Sequence, residues 1–165
     1  MNRATPTAIA DLQLAILKLR KTHGGFVIVK DQHVVASSQD HGVGSLIAAV
    51  EQLRQTRLFG AALADTVVGR AAVLMALWGG VGALHAELIS DGAVEEATKH
   101  GLSPSYRVRI ATILNHRRDG PCPFELATAE AADRGLSLDE IVSRLRALSI
   151  ATAQLRRLPE DHSAV

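Results

Sequence analysis

The chain is poor in cysteine and in aromatic residues. Its 165 residues include one Cys, one Trp, one Tyr and three Phe. A single Cys excludes an intrachain disulfide and is typical of a reducing compartment. Few aromatic side chains leave no platform on which bases could stack, and the core must be built from Ala, Val, Leu and Ile. We therefore expect a cytoplasmic protein with an aliphatic core.

An excess of charge and long apolar runs are also lacking. The 18 basic and 17 acidic residues give a net charge of +1, so no basic field is available to hold a nucleic-acid backbone. No uncharged apolar run has the length of a membrane span, and the first twenty residues lack the apolar core of a signal peptide. We expect no nucleic-acid partner, no membrane association and no cofactor.

What the chain does contain is a regular alternation of helical and strand-like segments. Thr5-Pro6 begins a helix that ends at Gly24-Gly25, and a β-hairpin over 26–29 and 34–36 follows. A polar loop leads to a second helix that Ser45 would cap, and a third strand is predicted over 58–64.

The clearest element is an almost wholly apolar helix predicted over 66–78, with Asp65 at its start. A helix of this composition must be covered on all sides. Gly69 in that helix indicates a close approach by a neighbouring element or a ligand. Arg70 is its only charge, and it would reach the surface or a carboxylate such as Asp65.

The elements after this helix continue the alternation. They are a strand over 81–89, a helix capped by Ser90 or Asp91, an edge strand over 106–110, a helix from Pro123, and a final helix after a capping box at 137–140. This order predicts an α/β fold, a three-layer sandwich around one mixed sheet. We expect one domain over 1–158, with its core at about 26–130 and a tail over 159–165.

Five short segments, taken in order, resemble a known family. They are Gly42-Val-Gly44, residues 64–72, Ile89-Ser90, residues 114–117 and residues 122–125. Together they are similar to a prokaryotic domain family of unknown function that is assigned to the cytidine deaminase-like fold. The resemblance covers about 26–130 and implies that fold, with additional helices at the N- and C-terminal ends.

The resemblance implies a scaffold that has lost its zinc site. Zinc deaminases carry an H-x-E motif at the start of the buried helix and a P-C-x-x-C motif at a later helix start. The matching positions, 64–66 and 90–92, contain no His or Cys. A similar order of residues occurs elsewhere, but there His85 lies on a predicted strand and Glu125 replaces the second Cys. We expect no bound metal.

The two implied helix starts predict a ligand site instead. In open α/β sheets, ligands bind beyond the carboxyl ends of strands, beside such helix starts. The ligand would be a small polar or nucleotide-like molecule, and Asp65 is a candidate catalytic group. The predicted ligand-binding residues are Gly42, Gly44, Ser45, Asp65, Thr66, Ser90 and Asp91.

Two other functions are compatible with the sequence. Cys122 precedes Pro123 at a helix start, which favours a thiolate, so the protein would be a thiol-dependent enzyme with His116 or Glu125 nearby. A divergent zinc deaminase would use His85, Glu87 and Cys122. Because His85 and Glu87 share one strand face, that face and the final helix also predict a homo-oligomer.

Overall fold

The computed structural model describes residues 6–157, except for the side chains of residues 54 and 55. Five strands and six helices occur in this part of the chain, in the predicted α/β order. They are α1 (Pro6–Leu19), β1 (Phe26–Lys30), β2 (His33–Ser38), α2 (Gly44–Leu58), β3 (Ala62–Val68), α3 (Arg70–Gly79), β4 (Ala83–Ser90), α4 (Asp91–Lys99), β5 (Ser105–Ile110), α5 (Pro123–Asp133) and α6 (Leu138–Arg157).

The five strands form one mixed sheet in the order β2-β1-β3-β4-β5. β1 pairs antiparallel with both β2 and β3, which confirms the opening hairpin. β3, β4 and β5 are parallel, as their helical crossovers require. β5 lies at the edge of the sheet, so the predicted edge strand is confirmed.

The two faces of the sheet pack against different helices because strand side chains alternate in direction. Val27 and Val29 of β1 pack with Ala15 and Leu19 of α1. Phe26 and Ile28, the alternate residues of the same strand, belong to a larger cluster that contains buried side chains of α2 to α6. α1 therefore lies on one face of the sheet, and the main core lies on the other.

α3 is the centre of the main core, and its predicted burial is confirmed. Ala71, Ala72, Leu74 and Met75 are almost inaccessible to solvent. Helices α2, α4, α5 and α6 all contact α3. An aliphatic helix is stable here because neighbours cover its whole circumference.

The start of α3 was placed too early by the sequence analysis. Residues 62–68 continue as β3, and Gly69 is the N-cap residue of a helix that begins at Arg70. Thr66, Val67 and Val68 are β-branched, and pairing with β4 keeps this run extended. Asp65 and Thr66 are therefore strand residues rather than a helix start.

Other boundaries also differ from the prediction. α2 begins at Gly44, so Ser45 lies inside the helix, and its hydroxyl oxygen has no hydrogen-bond partner among the described residues. Leu58 ends α2 instead of opening a strand. The capping box is confirmed, since Ser137 and Glu140 bond reciprocally. Thr5, Pro159 and the predicted tail lie outside the described residues.

No helix within residues 6–157 is both long enough and apolar enough to cross a membrane.

Candidate functional site

The starts of α3 and α4 converge, and the carboxylate of Glu125 lies between them. Glu125 belongs to the first turn of α5 and is only 8% exposed. Its Oε1 accepts a hydrogen bond from the backbone N–H of Arg70 at 2.8 Å and from the Ser90 hydroxyl at 3.1 Å. A carboxylate is favoured here because helix N-termini present unpaired N–H groups and a positive partial charge.

Two further residues, Ser90 and Gly69, complete this junction. Ser90 is the N-cap of α4, as predicted, and its Oγ accepts from the backbone N–H of Ala93 at 3.2 Å. Gly69 lies against Glu125 so closely that a Cβ at this position would collide with Oε1. The close approach expected at Gly69 is therefore present, although it occurs at the helix start and not inside the helix.

Arg70 extends over the first turn of α4. The absence of a side chain at Gly92 leaves room for the Arg70 guanidinium. That group lies 3.0 Å from a carboxylate oxygen of Glu95 and 3.9 Å from one of Glu96. Arg70 thus binds carboxylates of α4, and the suggested partner Asp65 is not one of them.

Asp65 lies on β3 beside a small cavity. The cavity has a volume of about 30 Å³, and its lining includes His41, Gly42, Asp65 and Thr66. Asp65 Oδ1 accepts a hydrogen bond from the backbone N–H of Val67 at 3.1 Å. Burial raises the pKa of Asp65 to about 7, against the smaller opposing effect of backbone hydrogen bonds from Val67 and Thr66.

The structure does not bring the seven predicted ligand-binding residues together in one place. Gly42, Asp65 and Thr66 line the cavity. Gly44 and Ser45 form the first turn of α2, while Ser90 bonds to Glu125. Asp91 is exposed and lies 2.5 Å from the guanidinium of Arg109.

Cys122 occupies the N-cap position of α5, at the predicted helix start. The two groups suggested as its base are engaged elsewhere. His116 Nε2 contacts the guanidinium of Arg156, and the Glu125 carboxylate bonds to the starts of α3 and α4. Within residues 6–157, no hydrogen bond joins Cys122 to either of them, so the suggested thiol–base pair is not assembled.

His85 and Glu87 lie on one face of β4, as predicted, with His85 Nε2 3.6 Å from Glu87 Oε1. Ala64, the β3 neighbour of His85, packs against α1. α5, which begins after Cys122, packs against α3 in the main core. The sheet therefore separates Cys122 from the other two residues of the suggested zinc centre.

The described part of the chain contains no other candidate metal site. No group of three or more His, Cys, Asp or Glu side chains there is arranged to hold an ion. Glu87 bonds to Arg107 of the same chain at 2.7 Å, so its carboxylate is already engaged. The homo-oligomer expected partly from this face stays a prediction.

The connecting role of Glu125 did not follow from the sequence. Glu125 was considered as a possible base for Cys122, but its partner Arg70 is 55 residues away in the chain. Gly69 beside Arg70 was the available signal in the sequence. A glycine inside an otherwise apolar helical segment indicates that another group approaches the backbone closely at that position.

Comparison with known proteins agrees with this architecture. A DUF1893 family protein (TM1506) from Thermotoga maritima has a solved structure that matches with a TM-score of 0.75 and 22% sequence identity. The match covers 88% of this chain and 94% of that chain. No curated protein matches this chain.

Residues 15–145 match the family model TM1506, described as a domain of unknown function (DUF1893). The chain therefore belongs to the DUF1893 family. The expected membership in a family of unknown function is confirmed.

Proposed function

We propose that this chain is a ligand-binding domain with a three-layer, cytidine deaminase-like fold and no zinc site. The ligand is a small polar or nucleotide-like molecule, and one of its functional groups enters the cavity beside Asp65. The observation that carries this proposal is a buried carboxyl with a pKa near 7 at the edge of a cavity. Perturbed titratable groups that line a cavity are typical of functional sites.

The chemistry of Asp65 favours a ligand with adjacent donor and acceptor groups. Near neutral pH both protonation states of the carboxyl are populated. The ionised form accepts a hydrogen bond from an N–H group, and the protonated form can also donate one to a carbonyl oxygen. Amide and amidine edges, as in nucleobases, offer both kinds of partner.

The size of the cavity limits what enters it. A volume of about 30 Å³ accommodates one or two water-sized groups, so the rest of the ligand would lie over His41 and Thr66. No ion pair to Asp65 is present among residues 6–157, which leaves its charge available to a ligand.

The junction at Glu125 supports binding without zinc. By the resemblance to deaminases, the starts of α3 and α4 correspond to the metal-bearing helix starts. In this chain a carboxylate of the protein already bonds to both helix starts. The exposed cavity beside Asp65 is then the better candidate for an external ligand.

Binding can be tested by calorimetry with cytosine, cytidine, adenosine and simple amidines as probes. We expect at least one probe to bind wild type, and Asp65→Asn to weaken its affinity by about tenfold or more, because a charged hydrogen bond is lost. Asp91→Asn is the matched control, since Asp91 is exposed and bonds to Arg109. Equal affinities in wild type and Asp65→Asn, or no binding of any probe, would overturn the proposal.

A further inference from the structure

A second group of polar side chains lies on the face of the sheet that α1 partly covers. His85 of β4 is paired in register with Ser105, the first residue of β5. The two side chains are hydrogen-bonded, with 2.8 Å between His85 Nδ1 and Ser105 Oγ. On the other side of the ring, His85 Nε2 lies 3.6 Å from Glu87 Oε1. A hydroxyl, an imidazole and a carboxylate are therefore arranged in series.

The interior of this group is buried and incompletely satisfied. His85 is 7% exposed, and both His85 Nε2 and Glu87 Oε1 are inaccessible atoms with no hydrogen-bond partner among the described residues. They face each other beyond ordinary hydrogen-bond distance. Buried polar atoms are normally bonded, so such a pair requires an explanation.

The carboxylate is fixed from outside the group. Arg107 of β5 bonds to Glu87 Oε2 at 2.7 Å, and Arg20 lies 4.0 Å from Oε1. Burial lowers the pKa of His85, so the imidazole is neutral at neutral pH and able to accept a proton. A fixed carboxylate behind a neutral imidazole is the arrangement that orients a general base.

Ser105, at the other end of this series from Glu87, is accessible to solvent. Ser105 is exposed and lines a cavity of about 160 Å³ together with side chains of Ile9, Leu12 and Leu102. The lining also includes the aliphatic side chains of Leu77, Val81 and Leu84, and the polar residues His100 and Ser103. The cavity is smaller than a typical ligand pocket, so it suits a short acyl group.

From this geometry we propose that Ser105, His85 and Glu87 form a hydrolytic site for small esters, with Ser105 as nucleophile, His85 as general base and Glu87 as the group that orients His85. The site is separate from the cavity beside Asp65 and does not depend on the function proposed for that cavity.

The reaction would follow the ordinary course of acyl transfer. Ser105 Oγ bonds to the ester carbonyl carbon as its proton passes to His85 Nδ1. The carbon–oxygen bond to the alcohol breaks, and the departing oxygen takes the proton from Nδ1. Water then adds to the acyl carbon and gives a proton to His85, the Oγ–carbon bond breaks, and Ser105 recovers its proton. The products are a carboxylic acid and an alcohol.

This course requires the tautomer with the proton on Nε2, where it points toward Glu87 Oε1. When Nδ1 accepts the second proton, the ring becomes cationic and attraction to Glu87 increases. The 3.6 Å separation would then shorten, as catalytic contacts do on passing from the free enzyme to the reacting complex.

The test is covalent labelling of the full chain with a fluorophosphonate, followed by peptide mass spectrometry and assay of p-nitrophenyl butyrate hydrolysis. We expect one adduct per chain at Ser105 and measurable ester hydrolysis. Ser105→Ala should abolish both, and Ser143→Ala, at an exposed serine of α6 that does not line the cavity, should leave both unchanged. His85→Gln should slow labelling by about 100-fold or more.

Because Ser105→Ala removes the hydrogen-bond partner of the buried His85 Nδ1, thermal unfolding of each variant verifies that it is folded. Absence of an adduct on wild type, an adduct at a residue other than Ser105, or equal labelling rates in wild type and folded His85→Gln would overturn the proposal.

Discussion

Glu125 and Asp65 are both buried carboxyl groups near the start of α3, but their surroundings differ. Glu125 receives hydrogen bonds from Arg70 and Ser90, which belong to two other elements of the fold. Among the described residues, the hydrogen bonds to the Asp65 carboxyl come from backbone N–H groups of the next two residues in its own strand. Glu125 therefore connects α3, α4 and α5, whereas Asp65 connects nothing distant.

The difference separates a structural carboxylate from a candidate functional one. A buried polar group that bonds across the fold stabilises the arrangement of the elements that it joins. A carboxyl that burial holds near its neutral form, beside a cavity, costs stability in its ionised state, and such perturbed groups are typical of functional sites. Substitutions at Glu125, Asp65 and Gly69 distinguish the connecting role of Glu125 from the candidate functional role of Asp65.

The largest expected effect is that of Glu125→Ala. Removing the carboxylate leaves the Arg70 N–H and the Ser90 hydroxyl without an acceptor, at about 1–3 kcal/mol for each buried group. We expect the free energy of unfolding in urea to fall by roughly 2–6 kcal/mol. Glu130→Ala, on the exposed side of the same helix, should change it by less than about 0.5 kcal/mol. Equal effects at the two positions would contradict a connecting role for Glu125.

At high pH, Asp65→Asn should raise the free energy of unfolding, whereas Glu125→Ala should lower it. The pKa of Asp65 is raised to about 7 in the folded chain, above its ordinary value of 3.8, so the folded state binds the proton more tightly. Stability should therefore decrease as pH rises from about 4 to 7. The Asn variant, which keeps an acceptor for Val67, should lack this decrease and be more stable at pH 8, by an amount on the order of 3 kcal/mol.

Chemical denaturation of wild type and variant across pH 4–8 measures this difference. Asp91→Asn should reproduce the wild-type pH dependence because Asp91 is exposed. If the stabilities of wild type and Asp65→Asn changed in parallel over this range, Asp65 would have an ordinary pKa and no special role.

A smaller effect is expected for Gly69→Ala. The added methyl group would collide with Glu125 Oε1, and overpacking of this kind costs about 1–3 kcal/mol. The double variant with Glu125→Ala has no carboxylate to collide with, so the Gly69 substitution should then cost much less. A double-mutant cycle measures this coupling, and simple additivity of the two changes would show that Gly69 is not required by Glu125.

Local sequence signals predicted the elements well where the composition of a segment agreed with the capping, glycine and proline residues at its ends. The hairpin, the buried helix α3, the edge strand β5 and the capping box at Ser137 were all found from such signals. The border between β3 and α3 was misplaced because the Val67-Val68 run, which leads into the apolar helix, fits either period. Pairing with β4, which a local pattern does not report, decided it.

The sites were less predictable because they depend on contacts between distant residues. Glu125 reaches Arg70 only after α5 folds back on α3, and Gly69 beside Arg70 indicates a close neighbour without indicating which residue it is. His85 and Ser105 meet because of the register between β4 and β5, which the sequence does not specify. Asp65 was identified through the family resemblance, although as a helix start and not as a strand residue beside a cavity.

The central claim is that Asp65 is a buried carboxyl poised near neutral pH, and direct measurement of its pKa is the sharpest test. The side-chain carboxyl ¹³C shift of Asp65 can be followed by NMR from pH 3 to 9, with Asp65→Asn used to assign the signal. We predict a midpoint at about 7. A midpoint near 4, the value of an exposed aspartate, would contradict the account.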